Sequence, residues 1–192
     1  MLPGDDQLLL AMGQAMADFV AAVASVPPNH WDSPSPCESW SVFDVVDHVV
    51  MGDRFAVKIL GGASYDQAVT DLVGLDEDLA DPAGEVAEAA RQALVAFDGS
   101  LDRIVDHPVG AIPARRFLGF RVIDQLGHTW DIAQGAKQPI ALNPAVVEVG
   151  LGVVAVEQTV LRGSDHFETL DGAPPDSQDA TDVFLHLIGR RN

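Results

Sequence analysis
The stretch Arg121-Val122-Ile123-Asp124-Gln125-Leu126-Gly127-His128-Thr129-Trp130-Asp131-Ile132-Ala133-Gln134-Gly135 decides how this chain is read. The segment begins upstream at Arg115 and is closed by Gly135, and its apolar spacing predicts a helix. On a helical wheel Val122, Leu126, Trp130 and Ala133 gather on one side, while Arg121, Asp124, His128 and Asp131 gather on the other. Asp124 and His128 are one turn apart, which brings their Cβ atoms to about 5–6 Å, close enough to share one cation. Two readings of the polar side stay open. Periodicity alone favours a solvated face, and the spacing equally admits a ligand pair.

Outward from this helix, the same rules place the rest of the chain. Asp5 to Val26 is rich in Ala, Leu and Met, opens on acidic residues and stops at Pro27-Pro28, as a first helix does. Ser41 stands as an N-cap with Asp44 three residues on, an approximate capping box, and Trp40 with Val45 is a candidate hydrophobic staple. That second helix runs to Gly61-Gly62. After a variable linker, Asp81-Pro82 starts a third helix, read from Glu85 to about Val105 and ending before His107-Pro108. Asn143-Pro144 starts a Val-rich helix that reaches Leu161. Gly163 to Gln178 reads as a loop and Asp179 to Ile188 as a short closing helix. No repeat and no hairpin signal stand out. The expected fold is all-α, an antiparallel four-helix bundle with additional short helices, forming one domain over residues 1–192.

Composition narrows the function classes. The 192 residues are 47% hydrophobic, enough for one core. A formal net charge of -18 repels phosphate backbones and anionic head groups, so neither nucleic acid nor membrane is an expected partner. Asp, Arg, Gly or Gln breaks every apolar stretch before the ~20 residues a bilayer requires. Met1-Leu2-Pro3-Gly4-Asp5-Asp6 lacks the basic start of a signal peptide, and the expected location is the cytoplasm. Cys37, the only cysteine, has no intrachain disulfide partner. Many Val and Ala positions leave room for a homodimer through apolar bundle faces.

His48 sits on the second helix beside Met51, Phe55 and Ile59, at the edge of an apolar face, where a satisfied core histidine is the commoner case. His30, His107, His166 and His186 have no partner at ligand spacing and read as loop or packing residues. Trp130 reads as core and Trp40 as a staple. Cys37 stays outside the site, and the acidic run Asp71 to Asp81 reads as a solvated connection.

Three strings carry a resemblance: Ser35-Pro36-Cys37-Glu38-Ser39-Trp40-Ser41-Val42, Asp47-His48-Val49-Val50, and Arg121 to Ala133. The tail from Pro174 to Arg190, closing on Leu187-Ile188-Gly189-Arg190, agrees with them. Together they resemble short actinobacterial members of the DinB-like helical bundle superfamily, in the group of the mycothiol-dependent maleylpyruvate isomerase N-terminal domain. In that superfamily a metal is held by one histidine on the second helix and by a pair four residues apart on a later one. The resemblance therefore implies His48, Asp124 and His128 as metal ligands. Thr129 replaces a glycine common in relatives, and Asp124 replaces the longer glutamate of the isomerase, which resembles this bundle followed by a further C-terminal domain.

Two imidazoles and a carboxylate leave coordination positions open, as catalytic zinc sites do, and nickel and ferrous iron use the same ligands. Zinc is the first expectation. An open position lowers the pKa of a bound water or thiol. The resemblance names mycothiol as that thiol, and an electrophilic substrate as its partner in an S-transfer or isomerisation. Arg121 is a tentative catalytic residue that orients an anionic group, or else pairs with Asp124 or lies on the surface. Asp131 either accepts the second ring N–H of His128 or is solvated. The competing function is a non-catalytic metal- or small-ligand-binding module.

Overall fold
Helix starts follow local capping chemistry. In the computed structural model, which describes residues 1–73, 81–162 and 179–190, α1 spans Asp5–Ala24 and α2 spans Val42–Leu60. The Ser41 hydroxyl accepts from the Asp44 amide while the Asp44 carboxylate accepts from the Ser41 amide, a complete capping box. Gly61 closes α2, and Gly62 takes the left-handed φ of 99° that its missing Cβ permits. A short α3, Tyr65–Leu72, occupies the first part of the expected linker, capped by Ser64. Helix α4 is Pro82–Phe97, with Asp81 as cap and Pro82 in the first turn.

The third helix was expected to continue to about Val105, and the structure corrects this. It ends at Phe97, Gly99 turns the chain at φ 76°, and β1 (Ile104–His107) pairs antiparallel with β2 (Gly110–Pro113). Pro108 and Val109 make the turn, and Gly110 takes φ 105° behind it. Helix α5, Ala114–Gly135, follows directly. Next comes α6, Pro144–Arg162, whose first turn is capped when the Ala145 amide donates to Asn143 Oδ1 at 3.0 Å. Helix α7 is Ala180–Leu187. The loop read over Gly163 to Gln178, with His166, lies outside the described residues, as do residues 74–80 of the acidic run.

The fold is all-α apart from this one hairpin. Helices α1 and α2 each pack on both α4 and α5, so the order around the bundle is α1, α4, α2, α5. Helix α6 packs on α5 and α1, and α7 closes on α6. Phe97, Phe117, Leu126 and Phe184 anchor the larger apolar core, and Phe19 with the valines of α2 anchors a second. Helices α1 and α6 are long and apolar enough to cross a membrane by length and composition, which the count of polar interruptions had missed; both are packed within this bundle.

Surrounded by α1, α2 and α6, helix α5 is buried round almost its whole circumference. The solvated-face reading of its polar side is thereby corrected: Arg121 is 5%, His128 7% and Asp131 0% exposed. A polar side that is buried must be satisfied internally, and that requirement builds the site.

Candidate metal centre
His48 projects from the middle of α2 toward Asp124 and His128 on α5. His48 Nε2 lies 3.4 Å from Asp124 Oδ1, and His128 Nε2 lies 3.3 Å from the same oxygen. The two imidazole rings meet edge to face, with centroids 5.0 Å apart. Each of the three residues offers one donor atom, and these atoms lie within 4.8 Å of one another. Donors held about 2.0–2.1 Å from a tetrahedral zinc stand about 3.3 Å apart. The two nitrogen–oxygen separations thus equal the edges of such a polyhedron, and the donor set fits a divalent cation of zinc's size.

The ring of His128 is oriented from behind. Its Nδ1 is 2.9 Å from Asp131 Oδ2, which directs the Nδ1 proton to the carboxylate and leaves Nε2 as the donor atom. Asp131 is fully buried and held in turn by Arg190, whose Nε and Nη2 donate to its two oxygens at 3.0 and 2.7 Å. The Cys37 thiol donates to Asp131 Oδ2 at 3.2 Å, and its sulfur is 4.0 Å from His128 Nδ1. Cys37, His128 and Asp131 form a second group with metal-binding donors, but Arg190 already occupies both oxygens of Asp131.

These long-range partners arrive through close approaches at glycines. A Cβ at Gly135 would meet Val42 and the backbone at Pro34, so its absence admits the loop carrying Cys37. A Cβ at Gly127 would stand 2.8 Å from Ile188 Cδ1, so its absence admits the turn that delivers Arg190.

Asp124 is oriented by its second oxygen. Arg121 Nη1 donates to Asp124 Oδ2 at 2.5 Å, while Arg121 Nη2 donates to Asp53 Oδ1 at 2.8 Å and to the Val49 carbonyl at 3.1 Å. Gln125 Nε2 also donates to Asp53, at 3.0 Å. Of the two readings of Arg121, the structure therefore shows the pairing with Asp124. A Cβ on Gly52 would collide with this guanidinium, so the bare helix surface of α2 is what admits Arg121 between the helices.

Electrostatics follow from this packing. Burial opposes ionisation of Asp124, yet Arg121, His128 and His48 outweigh it and hold the carboxyl well below its usual range. Burial likewise disfavours a charged His128, but Asp124, Asp131 and Cys37 raise it well above the ordinary imidazole value. Asp131, with burial opposed by His128 and Arg190, is lowered to about 2. Burial dominates at Asp53 and raises its pKa, against the pull of Arg121. With all carboxyls ionised and neutral imidazoles, Asp53, Asp124 and Asp131 exceed Arg121 and Arg190 by one negative charge, a field that favours a bound cation.

A cavity of about 350 Å³ opens onto the three donors, lined also by Cys37, Glu38, Ser39, Trp40 and Arg190. Trp40 does more than staple a helix start: its ring centroid is 4.9 Å from His48 and 6.1 Å from His128, so it forms a wall of this cavity. Ser39, in the lining, holds a left-handed φ of 66°. Sequence reasoning left out Cys37, Asp53, Gln125 and Arg190. Their contacts span 59 to 94 residues of chain, and no local spacing signals them.

A helical bundle that gathers two histidines and a carboxylate between its second helix and a later one defines the DinB-like class. The chain belongs to the mycothiol maleylpyruvate isomerase N-terminal domain family, whose sequence profile matches residues 12–133. That match takes in Cys37, His48, Asp124, His128 and Asp131 but not Arg190. The chain is similar to an uncharacterized protein of Mycobacterium tuberculosis, 29% identical over 137 residues that make up 71% of each chain. It is also similar to a second uncharacterized protein of that organism, 33% identical over 79 residues, 39% of this chain and 27% of the relative. No solved structure matches.

Proposed function
We propose that this protein is a metal-dependent thiol S-transferase or isomerase of the cytoplasm, with His48, Asp124 and His128 as the ligands of a divalent metal, zinc first among the candidates. The observation that carries the reading is the spacing of the three donors at the edges of a tetrahedral cation's coordination shell, open on one side to a polar cavity. When bound, the metal would supply a Lewis acid that lowers the pKa of a thiol, so that a thiolate exists near neutral pH.

The protein's own groups do the rest. Asp131 keeps the proton of His128 on Nδ1, and Arg121 fixes Asp124 by its outer oxygen. Glu38, Ser39 and Arg190 give the cavity donors and acceptors for a hydrophilic thiol, and family membership points to mycothiol. A thiol-linked family and a single cysteine agree with a reducing cytoplasm.

The test begins with elemental analysis of protein purified without an affinity tag, beside His48→Ala and Asp124→Ala. About one metal per chain in the parent and a large loss in both variants is expected. Equal, near-zero metal in all three overturns the reading. Metal-loaded protein is then incubated with mycothiol and a panel of electrophiles, monochlorobimane among them. A rate above the metal-stripped control is expected; no difference overturns the catalytic reading and leaves a binding module.

A further inference from the structure
The hairpin β1–β2, which no sequence signal announced, roofs a second chamber of about 180 Å³. Its walls are Phe55 from α2, Phe117 and Phe120 from α5, Val109 at the hairpin turn and Leu161 from α6. His107 leans over it, its ring centroid 4.7 Å from Phe117 and 5.5 Å from Phe120. His48 and Asp124 line this chamber as well as the polar cavity, so the two spaces meet at the same donors.

One polar feature stands out in these apolar surroundings. Arg121 lines the chamber, is 5% exposed, and its Nε–H is a buried donor with no hydrogen-bond partner among the described residues. Native proteins rarely leave such a group unpaired, because stripping water from it without a replacement is unfavourable. The terminal nitrogens of the same guanidinium are committed to Asp53, Asp124 and the Val49 carbonyl. Its positive charge is therefore matched twice over, while one N–H remains to be satisfied.

We propose that this chamber binds a neutral, apolar molecule, aromatic or aliphatic, carrying one hydrogen-bond acceptor that pairs with Arg121 Nε–H. A dicarboxylate is disfavoured on two grounds: Arg121 is already neutralised by two carboxylates, and a chain of net charge -18 repels anions. An apolar body fits the phenylalanine walls, and a single carbonyl oxygen fits the single spare donor. Resting on the function proposed above, this ligand is the electrophile, entering on the apolar side while the thiol occupies the polar one. Its binding to the chamber does not rest on that reading.

The test uses the full chain and prodan, a neutral naphthalene carrying one ketone, whose emission shifts to the blue in apolar surroundings. Saturable, blue-shifted binding is expected with zinc-loaded and metal-stripped protein alike. Val109 is 42% exposed, so Val109→Glu is compatible with folding and places a carboxylate at the mouth; it should weaken binding about tenfold with helicity and zinc content unchanged. An analogue without the ketone, 2-(dimethylamino)naphthalene, should bind about tenfold more weakly because the Arg121 donor stays unpaired. Naphthalene-2,6-dicarboxylate should not displace prodan.

Equal binding of the two naphthalenes, displacement by the dicarboxylate, or a Val109→Glu variant that binds like the parent overturns the proposal. The two readings fail separately. Prodan binding as described in a protein that holds no metal refutes the metal-dependent function and keeps the chamber. Metal-dependent transfer in a protein that does not bind prodan refutes the chamber alone.

Discussion
Asp131 accepts from His128, Arg190 and the Cys37 thiol while fully buried, so its charge is committed to the fold. Its pKa falls from 3.8 to about 2, and a depressed carboxyl contributes stability that is complete above the unfolded value and lost as the pH drops through the folded one. The contribution is about 2 kcal/mol above pH 4 and roughly half of that at pH 3. Asp131→Asn also leaves the Arg190 guanidinium unpaired, for a total loss near neutral pH of about 3 kcal/mol. Urea midpoints at pH 6 and pH 3 should show a wide gap between parent and variant that narrows with acidity; a gap of constant width sinks the assignment. The i, i+3 spacing of His128 and Asp131 was visible in the sequence. Cys37 and Arg190 were not, because one sits on a loop and the other on the terminal turn, and only the folded bundle brings them to Asp131.

At the scale of elements, what was legible is what local chemistry dictates. Ser41, Asp81 and Asn143 announced helix starts, and the structure has helices beginning at each. The hairpin escaped notice since its strands are four residues each, too short for a two-residue alternation to show. The wheel misjudged α5 because amphipathicity assumes one face in water, whereas this helix is enclosed by three others. Its polar face survives burial only through inter-helix partners, and Gly52 is where α2 makes room for the principal one. In a helix interior Gly→Ala ordinarily stabilises by about 0.5–1 kcal/mol, and Gly13→Ala on α1, whose new Cβ would stand 3.6 Å from Leu94, should do so. Gly52→Ala should instead destabilise by about 1–3 kcal/mol, since the methyl expels a guanidinium that holds two buried carboxylates. It should also lower zinc affinity about tenfold, as loss of a group that orients a ligand does. Thermal melts and zinc titrations of both variants check this; a stabilised Gly52→Ala that retains zinc would show that Arg121 does not orient Asp124.

Over the whole molecule, a net charge of -18 acts on everything the protein meets. Like charges repel one another in the compact state, and salt screens them over a Debye length of ~10 Å at 0.1 M. Raising the salt from ~0.02 M to ~0.3 M should therefore raise the melting temperature of the metal-free protein. The same field draws in a dication, and the donor cluster adds one negative charge of its own at the point of binding. Zinc at a hundred times its dissociation constant should stabilise the native state by about 2.7 kcal/mol, because the unfolded chain does not hold His48 and the α5 pair together. Screening weakens that long-range attraction, so the zinc-induced increment in melting temperature, at fixed zinc, should shrink with salt while the metal-free baseline rises. Melts of parent and His48→Ala at both salt concentrations, with and without zinc, separate the two effects. The variant should show the baseline rise and no zinc increment; an equal increment in the variant would place the bound metal elsewhere on the acidic surface.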